Sequence, residues 1–311
     1  MTVAARTLLD DLGAPVPLPA DGPRRIVSLV PSLTEAIATT LPERLVGATD
    51  WCTRPADLRV ARVRGTKNPD LAAIAALEPD LVVCNQEENR RLDVERLRER
   101  GIPVWVTVIE SVDQAIASMR RLFVAALGVG EPGWLVEAAR VWGPSGDTGS
   151  AVAGDAGAES ADVESAGSES VGVESTGPES VGVEPTGSEP TGPQPTASRP
   201  TVAIAIWRDP WMVVGGRTYT SDVLERLGFA NAFGGADRYP HVDVAAIRAA
   251  ADLVLLPDEP YAFGPDDGPE VFRGGEHPVP SVCLDGRSIT WYGPAMVGAR
   301  RYLEEILAPW R

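Results

Sequence analysis

The chain has 311 residues, 44% of them hydrophobic and 23% charged, with a formal net charge of −16. This suits a soluble protein of one large or two modest domains, and the negative balance excludes the basic face that a nucleic-acid binder needs. Cys52, Cys84 and Cys283 are odd in number and widely spaced, which excludes a zinc ribbon, a CxxC redox motif and a disulfide framework and points to buried free thiols in a reducing compartment.

The N-terminus, MTVAARTLLDDLGAPVPLPADGPRR, holds no secretory leader, because Asp10 and Asp11 break up its apolar run and no lipid-attachment cysteine follows. No stretch reaches the roughly 18–20 apolar residues of a membrane span. The sequence as written therefore reads as cytoplasmic. RRIVSLV (24–30) is a β run ending at Pro31. A helix follows, with Ser32 as its N-cap and Glu35 completing a capping box. After the short strand LVGAT comes NPDLAAIAALEPDLVVC, a helix capped by Asp70 and then, beyond Asp80, a strand. DVERLRERG is a helix ending at Gly101, and Ile102 to Val108 a further strand. Strands alternating with helices predict βα units and parallel sheets. Residues 111–142 have helical periodicity, interrupted between Gly128 and Gly133.

Residues 143–200 differ in kind. From Glu159 a five-residue pattern repeats (ESADV, ESAGS, ESVGV and onward), with ten Asp and Glu against the single Arg199. Such sequence buries too little apolar surface to offset its chain entropy and is expected to be a disordered acidic linker. Beyond it the first theme returns. TVAIAIW (201–207) is a strand, YTSDVLERLGFANAF matches the first helical segment in pattern, and HVDVAAIRAAADLVLLP echoes NPDLAAIAALEPDLVVC with Asp243 in place of Asp70. MVGARRYLEEIL is a final helix. The organisation is therefore an N-terminal lobe (1–110), a bridging helical segment (111–142), the acidic insert (143–200) and a duplicated C-terminal lobe (201–311).

RRIVSLVPSLTEAI, GTKNPDL, NQEENR, WRDPWM, RYP, LLPDEPY and TWYG, in that order and spacing, resemble the class III periplasmic solute-binding proteins, and within them the helical-backbone metal receptors. The resemblance covers nearly everything except the insert. It implies an α/β fold of two Rossmann-like lobes bridged by a long helix, with cobalamin, haem or a ferric siderophore held in the cleft between them. It implies non-enzymatic binding of a metal chelate and no covalent cofactor. Exported members dock onto an ABC-transporter permease through one glutamate per lobe. Here Ala72 and Ala245 stand at those positions, so this partner is in doubt. A monomer with neither nucleic acid nor a membrane span is expected.

Open α/β lobes bind ligands beyond the carboxyl ends of their strands. The candidates there are Trp51, Thr66, Lys67, Asn68, Glu88, Asn89 and Arg90 in the first lobe. In the second they are Trp211, Tyr219, Tyr239, His241, Glu259, Tyr261, Trp291 and Tyr292. Aromatic rings give a flat chelate large contact area at low entropy cost. Trp51, Tyr239 and Trp291 align with ligand-facing aromatics of the resembled cobalamin binder, whose further Trp aligns with Thr66. Each ring also has a plainer reading as core or rim packing, and Trp105 and Trp207, being in strands, read as core. The polar run 85–90 reads either as ligand-binding or as a solvated helix start. Lys67 and Arg208 read either as anion partners or as surface charge. Two histidines, His241 and His277, are too few for a bare-metal receptor, although His241 stands where it could reach the metal of a bound chelate. Three other readings are an exported receptor with a mis-assigned start, a chelatase-like enzyme using His241 or Glu259 as its base, and a module whose acidic insert recruits a basic partner.

Overall fold

The computed structural model describes residues 5–143, 199–274 and 277–311. The repeat expected to form a disordered linker lies outside them. The chain opens with a hairpin, β1 (Ala5–Leu9) and β2 (Pro15–Pro19). In β2, Val16 and Leu18 point inward while Pro15 and Pro17 face out. Asp10, buried at the turn, is fully satisfied. Arg98 reaches it at 2.6 Å, and the N–H groups of Leu12 and Ala14 donate to it at 3.0 and 2.8 Å. Asp11 binds Arg121 and accepts from Val108 N at 3.1 Å. Buried carboxylates of this kind are tolerated only with such partners.

The first sheet holds β3 (Ile26–Ser28), β4 (Leu45–Ala48), β5 (Ala61–Arg62), β6 (Leu81–Asn85) and β7 (Val104–Thr107) in the parallel order β5-β4-β3-β6-β7. Helices α1 (Pro31–Thr40), α2 (Leu71–Ala76) and α3 (Arg91–Glu99) connect its strands. The expected capping box on α1 does not form. The helix begins at Pro31, its N-cap Val30 has no side-chain cap, and Glu35 turns away to Arg287. The cap on α2 is as read, with Asp70 accepting from Ala72 N and Ala73 N, both at 3.0 Å.

Helices α4 (Val112–Arg120), extended by a π-helical turn over Arg121–Ala126, and α5 (Gly133–Trp142) follow. The connection is thus two packed helices, broken where Gly128–Gly133 predicted, rather than one long rod. The second lobe contains β8 (Thr201–Trp207), β9 (Met212–Val213), α6 (Tyr219–Arg226), β10 (Ala230–Asn231), α7 (Val244–Ala250), β11 (Leu253–Pro257), α8 (Pro269–Arg273), β12 (Ser281–Leu284), α9 (Arg287–Thr290) and α10 (Met296–Leu307). Its sheet runs β10-β8-β11-β12, parallel, with β9 antiparallel on β8. The order matches β4-β3-β6-β7 strand for strand. Asp243 caps α7 through Ala246 N at 2.7 Å, as Asp70 caps α2.

Strands such as LVVCN and LVLLP are buried on both faces, as parallel strands covered by helices must be. One apolar core runs through both lobes, taking Val83 and Trp105 from the first sheet, Phe123, Leu135 and Trp142 from α4–α5, and Ile204, Leu255 and Leu303 from the second lobe. Trp142 fixes α5 to α10 by donating to Met296 O at 2.8 Å. Smaller cores fill the outer face of each sheet. The lobes therefore share a packed interface. Among the described residues no helix is long and apolar enough to cross a membrane.

Candidate functional site

The carboxyl ends of the strands carry the candidate residues. After β4, Cys52 anchors a tight turn. Its thiol takes a hydrogen bond from Thr34 Oγ1 at 3.0 Å, and Arg62 Nη1 holds the Thr49 and Cys52 carbonyls at 2.9 and 2.8 Å. With its neighbour pinned, Trp51 projects outward and is 67% exposed. A side chain at Gly65 would press against the Trp51 indole nitrogen at 3.4 Å and run into Asn68, so Trp51, Gly65 and Asn68 form one edge of the site.

After β6 the run 85–90 is a built turn. Asn85 Oδ1 accepts from Glu87 N at 2.8 Å, and Asn89 Oδ1 accepts from Asn85 N at 2.9 Å. Asn89 Nδ2 donates to Thr66 O at 3.1 Å, which commits the Asn89 amide and the Thr66 carbonyl to holding two loops together. Lys67 donates to the Glu87 carbonyl. The turn lifts Glu87 and Glu88 towards the second lobe, and Arg90 is exposed at the start of α3. Glu88 is reached by water yet crowded by protein, and that desolvation, outweighing the pull of Lys67, raises its carboxyl above the usual range.

From the second lobe, Tyr239 donates its hydroxyl to Glu87 Oε2 at 2.8 Å, and Arg238 binds both Glu87 and Glu110. Burial raises the Glu87 carboxyl against the lowering effects of Tyr239 and Arg238. Tyr292 is buried within hydrogen-bonding reach of Ser32 and Thr107, its ring edge-on to Tyr219 at 5.8 Å. Tyr219, itself buried, donates to Trp291 O at 3.3 Å. Trp291 gives its indole N–H to Glu259 at 2.9 Å, while the Arg287 guanidinium lies 5.1 Å over its ring and binds Glu35 at 2.5 Å. Burial raises both Glu259 and Glu35. The predicted residues thus fall into two groups that both reach the first lobe, Tyr239 through Glu87, and Glu259, Trp291 and Tyr292 through Glu35, Ser32 and Thr107.

Two tryptophan readings need correction. Trp211 is buried, stacked on Phe263 at 5.7 Å and edge-on to Phe272 at 5.3 Å, so it is core. Trp207, read as core, is 44% exposed at the end of β8 and edge-on to Tyr261 at 5.7 Å. The irregular register between Ala205 and Trp207 turns it out of the sheet. Tyr261 also donates to Asp267 at 2.8 Å, and Arg208 is tied to Asp267 and Glu270. His241 is exposed and pairs with Met212 through its backbone. Among the described residues no group of three His, Cys, Asp or Glu side chains is placed to hold a bare metal ion. Sequence reasoning passed over Glu35, Glu87, Glu110, Arg217, Arg238 and Arg287. Only Glu35, Glu87 and Arg238 carried a signal, lying in the RRIVSLVPSLTEAI, NQEENR and RYP motifs, and Glu35 was read there as a helix cap. Ala72 and Ala245 are both exposed, each two residues beyond the Asp that caps its helix, so they are equivalent positions in the two lobes. A hollow of about 620 Å³, lined by Arg25, Leu45, Leu58 and Leu77 among others, lies at the opposite, amino ends of β3 and β4.

No protein-family model matches the chain. Over 102 residues it is 31% identical to a vitamin B12-binding protein of Pectobacterium carotovorum, a stretch covering 32% of this chain and 37% of that protein. The chain therefore matches little more than a third of such a relative's length. The fold resemblance is wider. The periplasmic vitamin B12 binding protein of Vibrio cholerae superposes with a TM-score of 0.62 at 15% identity, covering 92% of this chain and 97% of that one. The chain has the two-lobed α/β fold of that binding protein. A periplasmic heme binding protein of Pseudomonas aeruginosa shares this fold to the same degree, with a TM-score of 0.62 at 17% identity, covering 91% and 92%. In this chain the contacts of Glu87 and those of Trp291 both lie where the two lobes meet.

Proposed function

We propose that this protein binds one bulky metal chelate, a corrinoid, haem or ferric siderophore, between its two lobes and releases it chemically unchanged. The observation that carries the reading is the convergence of side chains from both lobes at the strand ends. Trp51 and Trp207 present exposed indoles, Glu88 and Glu259 are crowded acceptors, Trp291 donates to Glu259, and Tyr239 donates to Glu87 beside Glu88. Broad rings give contact area, while a few fixed polar groups orient the ligand. The names of the relatives, vitamin B12- and heme-binding proteins, support the same ligand class.

Trp51, Lys67, Asn68, Glu88, Arg90, Tyr239, His241, Glu259 and Trp291 are the residues proposed to face the ligand, joined by Trp207 in place of Trp211. Asn89 and Thr66 act behind them by holding the loops. The exposed alanines at 72 and 245 lack the carboxylate that would meet a permease arginine, so the reading assigns a binder without assigning a transporter. The test is to incubate the purified protein with cobalamin, cobinamide, haem and ferric siderophores in turn. Each sample is then desalted by gel filtration and its retained metal counted. One metal per chain from one of these chelates supports the reading. Retention of none overturns it.

A further inference from the structure

We infer that Arg238 forms an ionic latch with Glu87 and Glu110 that holds the mouth between the lobes shut until a ligand enters. The inference goes beyond the binding reading and does not depend on which chelate binds. It starts from backbone that is costly to build. Arg238 and Arg217 have φ of 47° and 56°, the left-handed region that disfavours residues with a side chain by about 1 kcal/mol each. Such conformations persist where the surroundings impose them, and they cluster at functional sites.

Here Gly215 and Gly216 impose them. Gly215 N donates to Arg238 O at 2.5 Å, Gly216 N to Ala236 O at 2.8 Å, and Arg238 N to Gly216 O at 3.2 Å. A side chain at 215 would meet the Ala236 carbonyl at 2.6 Å, and one at 216 would run into the Gly234 carbonyl. The glycine pair therefore lets the 234–238 loop lie directly on it and aims Arg238 across the lobe boundary. There Nη1 binds Glu87, after β6, and Nη2 binds Glu110, after β7. Tyr239 secures the second oxygen of Glu87, and Arg217 stands 3.8 Å from Glu110. The side chains of Arg238, Glu87 and Glu110 are only 25%, 23% and 24% exposed, which protects the contacts from screening that makes most surface pairs negligible. The shared core reaches Tyr219 and Tyr292 and packs against Tyr239, so the ion pairs of Arg238 cover its half-exposed rim between the lobes.

The experiment is pulsed electron spin resonance on ligand-free protein. Spin labels go at the exposed positions Arg91 and Asp266, one on each lobe, in a Cys283→Ala background. With Glu87 and Glu110 intact the inference predicts a single narrow distance distribution. Glu87→Gln with Glu110→Gln, which keeps size and shape, shifts it longer and broadens it. Arg238→Gln does the same, and the triple variant goes no further, because all three residues act as one unit. An unchanged distribution in the Glu87→Gln, Glu110→Gln variant overturns the latch. If Arg238→Gln fails to fold, the paired glutamate variant alone decides. No chelate enters this measurement, so a failed binding reading and a failed latch give separate results.

Discussion

Asp80 and Asp252 make the same contact in the two lobes. Asp80 accepts from Arg24 N and Arg25 N at 2.8 and 2.9 Å at the entrance to β3, and Asp252 accepts from Thr201 N at 2.8 Å and Thr201 Oγ1 at 2.7 Å at the entrance to β8. Each carboxylate fastens the loop before one strand to the start of the central strand beside it. The Thr201 hydrogen bonds lower the Asp252 pKa. A lowered carboxyl stabilises the fold above its unfolded pKa of about 3.9, and that contribution is lost as pH falls through the folded value. Asp252→Asn should therefore lower Tm at pH 6 and have almost no effect below the folded pKa, a comparison that calorimetry across pH makes directly.

Glu88 runs the opposite way. The protein crowded around this water-reached side chain raises its carboxyl, so ionisation at neutral pH costs stability, and that cost is relieved as pH falls through the raised value. Glu88→Gln should raise Tm at pH 8. The gain should shrink on acidification and be gone near pH 4, as thermal melts in matched buffers will show.

The Glu35–Arg287 pair is largely buried, at 12% and 24% side-chain exposure, and Glu35 Oε2 and Arg287 Nε have no partner among the described residues. Removing one member strands the other. Glu35→Ala should cost about 2 kcal/mol in urea unfolding. Glu35→Leu combined with Arg287→Met should recover most of that loss, because an apolar pair needs no counter-charge.

Gly215→Ala should cost about 1–3 kcal/mol, since its new methyl meets a backbone oxygen that cannot yield without moving the Arg238 loop. Gly235, with open space around its Cβ position, provides the control, and Gly235→Ala should cost far less in the same urea titration.

Much of this fold was legible in the sequence because its signals are local. Asp70 and Asp243 cap their helices where the pattern put them, the βα alternation gave two matched parallel sheets, and Gly128–Gly133 broke the bridge. The failures have long-range causes. The Ser32–Glu35 capping box is lost because Arg287, distant in sequence, claims Glu35. The β1–β2 hairpin was overlooked because Pro15, Pro17 and Pro19 disguise an edge strand, where proline is tolerated. A local irregularity in β8 exchanged the roles of Trp207 and Trp211. Of the candidate residues, Tyr239, Glu259 and Trp291 stand where the lobes meet and Trp51 stands exposed after β4. The ion pairs between the lobes were not legible, because Glu110, Arg217 and Arg287 sit in no motif and meet their partners only when the lobes come together.

The most direct test of the central claim is a tryptophan-fluorescence titration of wild-type protein and Trp51→Ala with cobalamin, cobinamide, haem and ferric siderophores. The account predicts saturable one-to-one quenching of the wild type by one chelate, and binding weaker by about 10-fold in Trp51→Ala, the loss expected when one aromatic contact is removed. Quenching by none of these chelates, or equal affinity in both proteins, would contradict it.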